Sequence, residues 1–162
     1  EKGDLTLLNN AKNLIVVEAK MYSKLSQGVK NSIFFNQAAK NVACIAEILH
    51  RSKADINKFS RLGFYVIAPE KQILKEHTFI EYMSKENIID IVHKRILQYK
   101  ELNDLDIFNE KEKWYNEWFS KTMNKIDIKC ITWEETIDYI KKVNTNNGKE
   151  IENFYKKCKK FN

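Results

Sequence analysis

Glycine and proline are scarce in this chain, four and one among 162 residues. No Gly-rich stretch forms a phosphate-cradling loop, so the usual sites for ATP or dinucleotides are not indicated. No apolar run approaches the roughly 20 residues of a membrane span, and no signal-peptide pattern opens the chain. Cysteine numbers three, at Cys44, Cys130 and Cys158. An odd count, wide spacing and no C-x-x-C pair argue against a disulfide framework or a structural zinc site, and a reducing cytoplasm is the simplest setting. Cys44 falls in an apolar helical run and is expected to be a small buried hydrophobe. His50, His77 and His93 lie on separate segments without metal-ligand spacing such as H-E-x-x-H, and each reads as a surface or helix-face residue.

What the chain does have is positive charge. The formal net charge is +6 and the pI about 9.1, a balance that favours an anionic partner without naming one. Residues 1–80 carry twelve Lys and Arg against seven Asp and Glu, whereas residues 81–162 carry sixteen against fifteen. The excess therefore sits in the first half. A second local excess, seven Lys against two Glu, lies in residues 141–162.

The first half also holds the stretch around which the chemistry gathers. Leu14, Ile15, Val16 and Val17 form a short, β-branched apolar run after a polar Asn-rich turn, the pattern of a buried strand. Alternation along a strand puts Val16, Glu18 and Lys20 on one face and Ile15, Val17 and Ala19 on the other. Upstream, Asp4 precedes a second apolar run at residues 5–8. The turn between the two runs predicts a hairpin, which would bring Asp4 and Glu18 to one end of the pair. Two carboxylates and a lysine around a gap suit phosphodiester hydrolysis, because carboxylate oxygens hold a hard divalent cation such as Mg²⁺ and a cation polarises a phosphoryl oxygen or activates a water. A carboxylate beside a lysine is also the ordinary content of a solvated salt bridge at a strand end.

Gly3-Asp4, the expected hairpin, and then Glu18-Ala19-Lys20 together resemble the motif of the PD-(D/E)xK nuclease superfamily, with Gly3 where proline is usual. The resemblance covers residues 3–70 or so. It implies a restriction-endonuclease-like fold, with Asp4, Glu18 and the backbone carbonyl of Ala19 as ligands of Mg²⁺ or Mn²⁺, and Lys20 as the catalytic lysine. It further implies a glutamine or basic residue on the helix after the strand, and Asn36-Gln37-Ala38-Ala39-Lys40-Asn41 looks like that element, with Gln37 and Lys40 facing the site. Members often add an acidic residue from a helix upstream. The chain begins at Glu1 and not at Met, so a fragment lacking that helix is an expectation of the same resemblance.

Further along, residues 21–32 read as a loop in which Lys24 and Lys30 can meet phosphates. Asn31 or Ser32 can cap a helix over residues 33–50, whose core face carries Phe34, Ala38, Val42, Ile45 and Leu49. Gln37, Lys40, Asn41 and Cys44 form an adjacent stripe that is either a cleft rim or a plain exposed face. Residues 54–60 read as partly helical. Residues 63–68 form a second apolar strand stopped by Pro69, and strand, helix, strand at these lengths predicts a parallel crossover pair. Helical patterns follow over residues 70–99 and 110–123, the latter with Trp114, Tyr115, Trp118 and Phe119 on one side, read as packing and not as a base-stacking platform. Residues 127–131 predict a short strand. Thr132-Trp133-Glu134-Glu135 predicts a capping box and a helix, and residues 144–148 a break before a last amphipathic helix.

The expectation is one α/β domain over residues 1–162, a small mixed sheet flanked by helices with a helix-rich C-terminal part beyond residue 70. The expected activity is metal-dependent hydrolysis of DNA phosphodiester bonds in restriction, repair or defence, without membrane partners and with a homodimer as one option. Two other classes stay open. One is a nuclease-like domain that binds nucleic acid or a protein without cutting. The other is a helical interaction module in which Glu18 and Lys20 form only a rim salt bridge.

Overall fold

Strand β1 (Asn13–Ala19) grows from the Leu-Ile-Val-Val run and pairs in parallel with β2 (Arg61–Ala68), Val16 opposite Phe64 and Glu18 opposite Val66. Strand β3 (Asp127–Thr132) pairs in parallel with the other edge of β2, giving the order β1-β2-β3. The computed structural model describes residues 5–28 and 32–161. Helix α1 (Gln37–Arg51) makes the first crossover, as strand, helix, strand predicted. The second crossover is long: α2 (Glu70–Lys75), α3 (His77–Tyr82), α4 (Lys85–Glu101), α5 (Leu105–Trp114), a π-helical turn at Tyr115–Phe119, and α6 (Ser120–Lys125). Helices α7 (Trp133–Val143) and α8 (Thr145–Cys158) close the chain. The protein is mixed α/β with a small sheet and a helical majority.

Among the described residues the sheet is wholly parallel, which corrects the mixed sheet expected from a hairpin. Residues 5–8 form no strand. The Ala11 N–H donates to the Leu8 carbonyl at 2.9 Å, and the tight turn turns Leu7 and Ala11 onto the core while Leu5 and Leu8 stay in solvent. The physical reason lies in composition: Thr6 is the one β-branched residue of that run, whereas three of the four residues at 14–17 are β-branched.

The sheet is packed on one face. Leu62, Phe64, Val66 and Ala68 of β2 are buried in one core cluster with residues of α1 and α4, and Leu14 and Val16 of β1 and Ile128 and Cys130 of β3 are partly buried against it. Helix α1 contributes Ala38, Val42, Ile45 and Leu49, the face that its 3.6-residue periodicity predicts. The opposite face of the sheet carries Ile15 and Val17, 41% and 49% exposed. A continuous apolar run reads as a strand buried on both sides, and here it is partly buried on one and half-exposed on the other, which is unusual for a parallel sheet.

Local chemistry sets the helix ends. Helix α1 starts at Gln37 because the buried Asn36 side chain accepts the Ala39 N–H at 2.9 Å. Ser32 and Ile33 are therefore outside it, and Asn31 is outside the described residues. The helical pattern of residues 70–99 is three helices, since Glu76 is extended and Ser84 caps α4 by accepting the Asn87 N–H. Residues 54–60 hold a single 3-10 turn, Ile56–Lys58. The Thr132–Glu135 capping box forms in full. The break at residues 144–148 shrinks to Asn144, whose side chain caps α8. Gly148 lets α8 cross α7 closely: a Cβ there would stand 2.6 Å from Lys141 backbone atoms. Cys44 is exposed, a correction, because it lies one position off the buried a/d-like face of Val42, Ile45 and Leu49.

Candidate active site

Three of the residues singled out from the sequence meet at the C-terminal end of β1. Glu18 and Lys20 leave the strand on the core face, and the Lys20 N–H donates to the Ile67 carbonyl at 2.7 Å, so the parallel ladder continues to that residue. The Lys20 ammonium lies 2.9 Å from Glu18 Oε1 and donates to Gln37 Oε1 at 2.9 Å. Its side chain is 11% exposed and that of Glu18 27%, so a mostly buried cation is held by one carboxylate and one amide. Gln37 is itself fixed. Its backbone N–H donates to the Ser26 carbonyl at 3.0 Å, and its side-chain oxygen also accepts the Ser26 N–H at 3.3 Å. The fully buried Leu25 anchors this loop, which brings the N-terminus of α1 over the strand end and with it the positive end of the helix dipole.

A fourth residue completes the arrangement, and nothing in the sequence pattern pointed to it. The Trp133 indole N–H donates to the Lys20 carbonyl at 2.8 Å across 113 positions. Thr132, just before it, is aligned with Ala68, so three parallel strands end at one level and deliver Lys20, Pro69 and Trp133 together. Open α/β sheets bind ligands at this edge. Beside it lies a cleft of 590 Å³ lined by Met21 and Tyr22, by Lys71, Lys75 and Lys159, and by Glu134 among others. Burial disfavours ionisation of Glu134, but hydrogen bonds from Tyr155 Oη, the Glu70 N–H and Lys159 outweigh it and hold its carboxyl below the usual range. Tyr155 is pushed up by burial and by that carboxylate. The Tyr22 hydroxyl donates to the Cys158 carbonyl. Glu134 thus ties α8 to the strand end, a structural role, in keeping with the capping role of Glu135.

The other expected site residues stand elsewhere. Asp4 and Lys30 lie outside the described residues. Lys24 is exposed and pairs with Glu76 at 2.8 Å. Lys40 lies one turn after Gln37 but lines a separate groove between α1, α4 and α5. Among the described residues no group of three or more His, Cys, Asp or Glu side chains is placed to hold a metal ion. The described donors at the strand end are the Glu18 carboxylate and the Ala19 carbonyl. Both are hard oxygen ligands of the class Mg²⁺ takes, an ion commonly held by one or two carboxylates plus substrate phosphate and water. Of such carboxylates the described residues supply one, Glu18, and it is paired with Lys20.

The cysteines are free, with Cys44 exposed and Cys130 and Cys158 half-buried, and burial pushes the Cys130 thiol up to about 11. No helix among the described residues is long and apolar enough to cross a membrane. Comparison with protein-family models, with curated proteins and with solved structures finds no match to this chain.

Proposed function

We propose that the chain is a metal-dependent phosphodiesterase of the PD-(D/E)xK type acting on DNA, with a restriction-endonuclease-like core. The observation that carries the reading is the meeting of Glu18, Lys20 and Gln37, from a strand and the next helix, at the C-terminal edge of a parallel sheet. Glu18 and the Ala19 carbonyl, with Asp4, would hold Mg²⁺ or Mn²⁺, which when bound supplies Lewis-acid polarisation of the phosphoryl oxygen.

The remaining roles belong to the chain's own groups. In hydrolysis a water oxygen adds to phosphorus, one ester P–O bond breaks, and the leaving oxygen takes up a proton. Lys20 would hold the attacking water and offset charge that grows on the phosphoryl oxygens. Gln37 aims the Lys20 ammonium, and Trp133 fixes its backbone, so the cation needs little rearrangement when substrate arrives. Lys71, Lys75 and Lys159 in the adjacent cleft offer sequence-independent contacts to phosphates.

Nicking of supercoiled plasmid tests the reading. Wild type is expected to nick in Mg²⁺ or Mn²⁺ and not in EDTA, and Lys20→Ala and Glu18→Ala to lower the rate about 10²–10³-fold. A folded wild type that cuts neither supercoiled, linear nor single-stranded DNA with either metal overturns it. That result favours the non-cutting alternative, for which the Glu18–Lys20 ion pair is the supporting observation: two charges that already satisfy each other have no need of a metal.

A further inference from the structure

The groove between α1, α4 and α5 takes no part in the chemistry above. It is an open groove of about 490 Å³, within the range of about 300–1,000 Å³ typical of ligand sites. Three aromatic residues, Phe35, Tyr99 and Trp114, line it while also packing against the core, as the sequence reading of the Trp114 cluster expected, and Lys40, Arg51, Arg95 and Lys111 stand among them with Glu47 as the one carboxylate. The lining is mostly apolar and, with four cations against one carboxylate, carries a net positive charge. Arg51 is engaged with Glu47 at 2.7 Å and Lys111 with Glu110 at 2.8 Å. Arg95 lies over the Tyr99 ring, 5.1 Å from its centre, so a guanidinium plane joins the aromatic surfaces. The Trp114 indole N–H is buried without an acceptor, a donor the protein itself leaves unsatisfied.

Aromatic faces interleaved with cations suit one kind of polymer. A single strand offers unstacked bases to the rings and phosphates to the cations, whereas a duplex keeps its bases stacked inside and presents phosphates alone. We propose that this groove holds a single-stranded segment of nucleic acid, bases against Phe35, Tyr99 and Trp114, phosphates against Lys40, Arg51, Arg95 and Lys111. Lys40 is one helical turn from Gln37 on α1, so a strand leaving the groove at that end arrives at the Glu18–Lys20–Gln37 cluster. The path onward rests on the phosphodiesterase reading of that cluster; the groove's own chemistry does not. It makes the preferred substrate one with a frayed, flapped or single-stranded end.

Fluorescence anisotropy of the full chain with a labelled oligothymidylate of about 12 nucleotides, in EDTA so that nothing is cut, tests the groove apart from catalysis. The single strand is expected to bind more tightly than a duplex of the same length. Lys40→Gln and Lys111→Gln should each weaken it about three- to tenfold and lower the slope of log K against log salt by about 0.7. Lys149→Gln, at an exposed position on α8 outside the groove, should bind as wild type does, and circular dichroism melts confirm that each variant is folded. Equal or tighter binding of the duplex, or unchanged binding by both groove variants, overturns the proposal. Binding as expected in a chain that never nicks DNA removes the phosphodiesterase and leaves the groove; nicking with unaltered groove variants does the reverse.

Discussion

Lys20 is the residue on which the strand end depends. A lysine side chain only 11% exposed is costly to bury unless the hydrogen bonds of its ammonium are met, and here Glu18 Oε1 and Gln37 Oε1 meet two of them at 2.9 Å each. Removing the carboxylate leaves a mostly buried cation with one neutral acceptor. Glu18→Ala is therefore expected to destabilise the fold by about 1–3 kcal/mol, while Lys20→Met, which deletes the buried charge and keeps the aliphatic stem, costs less. Urea denaturation of the two variants checks the order, and a milder Glu18→Ala would mean that the pair is solvated and contributes little. The sequence placed Glu18 and Lys20 on one face through strand alternation. It left open whether the polar stripe of α1 faced a cleft or solvent, because a helix's rotation about its axis is set by what it packs on.

At the scale of the element, α7 and α8 are held to the sheet by a carboxylate. Glu134 accepts hydrogen bonds from Tyr155, Lys159 and the Glu70 N–H, and its carboxyl sits below its ordinary 4.5 despite burial. The unfolded chain consequently binds more protons than the folded one just below that value, and stability rises with pH across the window. The contribution is complete above about 4.5 and fades as pH falls through the lower folded value. Asp127, Glu135 and Glu152 are shifted the same way, so acid should weaken the protein in general. Glu134→Gln is expected to flatten part of that acid limb in thermal melts between pH 5 and 3, roughly the span that a lowered carboxylate titrates; an unaltered limb would assign the sensitivity to the other carboxylates. The capping box that starts α7 was legible because Thr132 and Glu135 need only each other and the local backbone. The tie from Glu134 to Tyr155 and Glu70 was not, since it joins three distant segments.

Across the whole molecule the sheet has a loaded face and an open one, and the two should answer mutation differently. Phe64, fully buried, should lose about 3–5 kcal/mol on change to Ala, whereas Val17→Thr at a half-exposed position should stay within about 0.5 kcal/mol. Comparable losses at both positions, measured by chemical denaturation, would mean that the open face is covered in solution. Periodicity, segment length and local chemistry by themselves determined the parallel pair of strands, the core face of α1, the third strand and the α7 cap, since each follows from apolar runs, the lengths between them or a spacing of three or four residues. Only the tertiary structure decided that residues 5–8 stay out of the sheet, that one face of β1 is half-exposed, that Cys44 faces solvent and that Trp133 braces Lys20. Those outcomes follow from which surfaces compete for the same neighbour in space, and a pattern read along one chain carries no record of that competition.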